Sequence, residues 1–103
     1  MTTEIDQDTM EEIKASDDTW ILDFWSEWCG PCKKMAPVYE DVSEAFDSVK
    51  FGKVDMEEHS DLATEFNVRA LPTLLVVEGG EVKARTQGFM GEDDLEEWVQ
   101  ENA

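Results

Sequence analysis

The chain has 103 residues, 41% of them hydrophobic, which is enough for one modest core, so a single domain over residues 1–103 is expected. It carries 26 Asp and Glu against 8 Lys and Arg, a formal charge of −18, which argues against nucleic acid and anionic membrane as partners. Four Trp, five Phe and clear apolar periodicity exclude a disordered acidic segment, because they supply surface that only folding can bury.

In chain order, residues 2–6 offer Ile5 as their one apolar position, so any edge strand there is short. Thr9 with Glu12 three residues on has the form of a capping box, opening a helix that turns Met10 and Ile13 inward. Asp17-Asp18 reads as a turn. Trp20–Trp25 is an apolar run of strand length, broken by one carboxylate, Asp23. From Pro31 onward, Met35, Val38, Tyr39, Val42 and Phe46 fall at helical spacing, which predicts a long helix to about Phe46. Val49–Met56 reads as a strand. Ser60–Phe66 reads as a short helix with Leu62, Ala63 and Phe66 inward, ended by Asn67. Leu74–Glu78, Gly79-Gly80 and Glu81–Thr86 form a β-hairpin pattern, and Gly91–Gln100 a last helix burying Leu95, Trp98 and Val99. The strand–helix–strand middle implies a parallel pair with a right-handed crossover, and the hairpin adds an antiparallel edge. The expected fold is α/β, a mixed central sheet covered by helices. The longest unbroken aliphatic run, Leu74–Val77, is far too short to cross a membrane, and the polar, acidic opening of the chain does not read as an export signal.

Chemistry concentrates at Trp28-Cys29-Gly30-Pro31-Cys32-Lys33, which holds both cysteines of the chain. A disulfide across two residues closes a very small loop and adds little stability, so the pair reads as a dithiol that cycles between reduced and oxidised forms. A zinc half-site is the plainer alternative, but zinc needs about four ligands and His59 is the one further soft or borderline candidate. Pro31 suits the first turn of a helix, which places Cys29 at the helix N-terminus among unpaired N–H groups. That position favours thiolate over thiol. Cys32, one turn in, is expected to be more buried. Cys29 therefore reads as the attacking sulfur and Cys32 as the resolving one. A reactive dithiol points to a reducing, cytoplasmic setting. No cofactor and no metal are expected. Asp23, inside an apolar strand, is expected to be buried, with its pKa raised toward neutrality.

Taken together, these segments resemble the thioredoxin family from about Thr9 to Asn102, and C-x-x-C beside a βαβ pattern is itself a recognised signature of that family. Asp23 to Lys33 is similar to the family's active-site segment almost residue for residue. Pro37 matches the proline inside the active-site helix. Leu71-Pro72-Thr73 resembles the loop whose proline is cis, Gly79-Gly80-Glu81-Val82 the hairpin turn, and Gly88 a glycine beside the site. The start of the chain departs from the family pattern, with charged residues where apolar ones are common. The resemblance implies the thioredoxin fold and a protein-disulfide reductase acting by thiol–disulfide exchange. It implies Asp23 as proton acceptor and donor for Cys32, with Lys53 paired to it. It implies Trp25 packed beneath the dithiol and Trp28 partly exposed beside it. It implies a docking patch of Trp28, Gly30, Pro31, Leu71, Pro72, Gly88 and Phe89. The implied partners are disulfide-containing proteins and thioredoxin reductase or an equivalent electron donor, with the chain acting as a monomer. Gly30-Pro31 resembles reducing members more than oxidising or isomerising ones. A disulfide isomerase or oxidase and a redox-independent binding module are the rival readings.

Disulfide exchange does not require a charge of −18. Self-repulsion on that scale is relieved by salt, which shortens the Debye length from about 10 Å at 0.1 M to about 3 Å at 1 M. The charge therefore suggests a halophile, with a cytoplasm of high salt; the alternative is an ordinary acidic domain whose charge steers a basic partner.

Overall fold

The computed structural model, which describes residues 1–103, orders the chain as β1 (Thr3–Glu4), α1 (Gln7–Ala15), β2 (Thr19–Trp25), α2 (Gly30–Ser43), β3 (Lys50–Asp55), α3 (Ser60–Glu65), β4 (Thr73–Glu78), β5 (Glu81–Gln87) and α4 (Glu92–Asn102). The five strands form one sheet in the order β1-β3-β2-β4-β5. β2 lies parallel to β3 and antiparallel to β4, so the mixed sheet with a central βαβ unit is as expected.

Two apolar layers cover the sheet, and side-chain alternation along β2 assigns its residues between them. Leu22 and Phe24 join Met10, Ile13, Leu62 and Ala63 from α1 and α3. Ile21 faces the other way, against Met35, Tyr39, Val42, Leu95 and Val99 from α2 and α4. By the same alternation Asp23 and Trp25 share the face of Ile21, under α2.

The first strand is only two residues long, yet it pairs with β3. Its anchor is Ile5, 2% exposed, whose side chain lies where a Cβ on Gly52 would stand. Gly52 is thus required by this close approach, and its carbonyl also accepts the Tyr39 hydroxyl at 2.8 Å. Gly79 and Gly80 both have positive φ (59° and 82°), which the two-residue turn between β4 and β5 demands.

Several boundaries differ from the sequence expectation. Helix α1 is capped by Asp6, whose carboxylate accepts from Thr9 N at 2.8 Å, so Thr9 lies inside the helix and is not its cap. Asp is as good a cap as Thr, and it stands three residues nearer the start. Helix α2 ends at Ser43, because the chain turns after it, and Phe46 packs half-buried from a non-helical segment. Trp98 is half-buried at the edge of its layer, while Leu95 and Val99 are fully buried. Asn67 has φ 55°, as the end of α3 requires.

Candidate active site

The dithiol sits where β2 gives way to α2. Cys29 is the N-cap of α2, with extended backbone, and its Sγ accepts the N–H of Cys32 at 3.1 Å. Pro31 occupies the first turn, where no N–H is needed, and no acidic residue stands in that turn to oppose the helix dipole. The two cysteines are joined as a disulfide, with Cα atoms 5.2 Å apart. Cys32 is 2% exposed, while Cys29 is half-buried. Burial follows from helical spacing: Cys32, Met35, Tyr39 and Val42 form the stripe of α2 that meets the sheet. An incoming sulfur can therefore reach Cys29 and not Cys32.

Under α2, Asp23 is 1% exposed and its Oδ1 has no hydrogen-bond partner. Its in-register neighbours are Lys53 on β3 and Leu74 on β4. Burial pushes the Asp23 carboxyl up to about 7, and the positive charge of Lys53 opposes that shift. The carboxyl is thus poised to hold or release a proton near neutrality, on the face shared with the buried sulfur of Cys32.

The expected ion pair between Asp23 and Lys53 is not formed. The Lys53 ammonium instead lies 4.6 Å from the centroid of the Trp25 ring and makes no contact with a carboxylate within salt-bridge distance. The ring face attracts the cation and lets it stay half in water, whereas pairing with Asp23 would draw it into the core. The indole N–H of Trp25 is itself buried without a partner.

Two loops complete the rim. The Leu71–Pro72 peptide is cis, and the Pro72 carbonyl accepts the Gly88 N–H at 2.9 Å, which ties the loop before β4 to the end of β5. Thr73 closes the first of these loops through its hydroxyl, which donates to the Ala70 carbonyl. Gly30, Pro31 and Phe89 are exposed, Leu71 and Gly88 are half-buried, and Pro72 is buried. Trp28 is 81% exposed, further out than the partial exposure expected, because it lies in the turn between β2 and α2 with its N–H held by the Ser26 hydroxyl. His59, expected at the surface, keeps only 18% of its side chain exposed and leaves Nδ1 buried without a partner, since it caps α3 against the body of the protein.

All the residues expected at the site thus lie at or beside the carboxyl end of β2. The sequence reading did not single out Lys34, whose ammonium lies 5.0 Å from the centroid of the Phe89 ring and links α2 to the far side of the rim.

Comparison with known proteins gives one answer. The family model described as Thioredoxin matches residues 2–101. A thioredoxin of Mycoplasma genitalium is 41% identical over 81 residues, covering 79% of each chain. A thioredoxin of Buchnera aphidicola is 36% identical over 98 residues, covering 94% of this chain and 91% of that one. Among solved structures, the crystal structure of a Malassezia sympodialis thioredoxin superposes with a TM-score of 0.90 at 32% identity, over 99% of this chain and 90% of that one.

Proposed function

The chain belongs to the thioredoxin family, a thiol–disulfide oxidoreductase that reduces substrate disulfides through Cys29 and Cys32, and from that premise we propose how its residues divide the work. Cys29 is the nucleophile. Its thiolate attacks one sulfur of a substrate disulfide, forming a Cys29–substrate bond and breaking the substrate bond, whose second sulfur leaves as thiolate and takes a proton from water. Cys32 then passes its proton to the Asp23 carboxylate and attacks Cys29, expelling the other substrate sulfur. The substrate gains two electrons and the dithiol becomes a disulfide. An external electron donor, a reductase or its equivalent, restores it.

The observation that carries this reading is the asymmetry of the pair: Cys29 half-buried at a helix N-terminus, Cys32 buried on the stripe of α2 that meets the sheet, over the face that holds the buried Asp23. Lys53 acts on Asp23 by its charge alone. Trp28, Gly30, Pro31, Leu71, Pro72, Gly88 and Phe89 receive the substrate chain. A reducing cytoplasm suits a dithiol that must be returned to its reduced form. Self-repulsion at −18 favours a monomer.

Trapping tests the assignment. Cys32→Ser is expected to hold substrates as stable mixed disulfides with Cys29, and Cys29→Ser to hold none. Equal trapping by both variants would overturn it.

The −18 charge supports a halophilic setting. The thermal unfolding midpoint is expected to keep rising, and activity to persist, between 1 M and 3 M KCl. A midpoint that levels off below 0.5 M, with activity lost above 1 M, would contradict that setting.

A further inference from the structure

Apart from the buried Asp23, and from Glu27 and Asp55 at its edge, the carboxylates of this chain stand outside the segments that carry the dithiol and its rim. None of the 26 falls in residues 28–39, 66–77 or 82–91, the segments that carry the dithiol, the Leu71–Pro72 loop and the Gly88–Phe89 part of the rim. Two of the eight basic residues, Lys33 and Lys34, follow Cys32 directly in the first of these segments.

The lysines divide in the same way. Lys14, Lys50 and Lys83, all distant from the dithiol in the fold, are ion-paired to Glu11 and Glu65, to Asp18, and to Glu81 respectively. Lys33, Lys34 and Lys53, all beside it, have no carboxylate within salt-bridge distance, on a protein where carboxylates outnumber cations more than threefold. Lys33 and Lys34 are exposed. They follow Cys32 directly, and Lys34 reaches over the exposed Phe89 ring.

We propose that Lys33 and Lys34 form a cationic docking rim, and that the preferred substrates are protein disulfides flanked by carboxylates. The proposal rests on the reading of Cys29 as the nucleophile and adds which substrate sequences reach it. An acidic partner meets net repulsion from the body of the molecule at long range, and two unpaired ammonium groups at contact. Salt screens the first more than the second, because the repulsion acts over distances beyond a Debye length. The arrangement therefore selects acidic partners best where ionic strength is not low. Two lysines on an ordinary solvated helix face would show no such selectivity.

The test uses three synthetic peptides, each closed by one disulfide and flanked by two Glu, two Lys or two Gln. Their second-order reduction rates are measured with the wild-type chain and with the Lys33→Gln/Lys34→Gln variant at 0.15 M KCl, where the Debye length is about 8 Å. The wild type is expected to reduce the Glu peptide about fivefold faster than the Lys peptide, the scale of one or two exposed ion pairs. The variant is expected to lose or reverse that preference, each rate being taken relative to the same protein's rate with the Gln peptide. No preference, or a preference for the Lys peptide, in the wild type would overturn the docking rim, as would a preference for Glu that survives in the variant. Failure of the wild type to reduce the Gln peptide would overturn the reductase reading itself, and the rim with it.

Discussion

Lys50 and Lys53 stand three residues apart on β3, each opposite a residue of β2, and they meet opposite fates. Lys50 pairs in register with Trp20, lies 5.7 Å from its ring centroid, and donates to Asp18 at 2.8 Å. That hydrogen bond is the main cause holding the Asp18 carboxyl below its ordinary value. Lys53 pairs in register with Asp23, lies 4.6 Å from the Trp25 ring centroid, and is bonded to no carboxylate. Its neighbours Asp23 and Trp25 each leave a buried polar atom without a partner. One end of β2 has its charges paired in water. The other keeps a carboxyl unpaired in the core, where stability alone would not put it. A cost of that kind is expected where chemistry needs a proton held near neutrality.

The largest effect that would break this comparison is on stability. In Asp23 the folded carboxyl titrates near 7, above its unfolded value of about 4, so the folded state binds more protons between those limits. Stability therefore falls as pH rises from about 4 to 7 and stays reduced above. Asp23→Asn should stabilise the fold at pH 8 by an amount on the order of a few kcal/mol, and the gain should vanish below pH 4. Urea unfolding of both proteins across that range measures it. Asp18→Asn, at the opposite end, is expected to change stability little at any pH.

A smaller effect separates the two lysines. Lys53→Met removes the charge that opposes the desolvation of Asp23, so the Asp23 carboxyl should titrate higher still, as read by carboxyl carbon NMR. Lys50→Met should leave that titration in place and change stability by less than about 1 kcal/mol, the usual worth of an exposed pair. If both substitutions move Asp23 alike, the two ends are not electrically distinct.

Much of this was legible in the amino-acid order, for identifiable reasons. A lone carboxylate in Trp20–Trp25 announces a buried acid, and Pro31 after Cys29 announces a helix whose first turn carries the dithiol. The pattern of Met35, Tyr39 and Val42 fixes which side of α2 meets the sheet, and hence that Cys32 points inward. What escaped depends on choices between near-equal partners. The Lys53 side chain can reach a carboxyl or a ring face, and register alone does not say which. Asp6 and Thr9 are both good caps, and the structure selects the earlier one. Burial of His59 is a tertiary effect of how α3 docks, with no local pattern to mark it. The absence of carboxylates from residues 28–39, 66–77 and 82–91 is present in the sequence, but its meaning appears only when the fold brings those segments together.

The central claim is that Asp23 takes the proton of Cys32 when the mixed disulfide is resolved. The direct measurement is the rate of that step against pH, followed by rapid acid quench of a preformed mixed disulfide, in the wild type and in Asp23→Asn. The wild-type rate should rise with pH and level off above about 7, where the carboxylate is formed, and Asp23→Asn should be about 10²-fold slower at pH 7 with no such break. Superimposable profiles for the two proteins would contradict the claim.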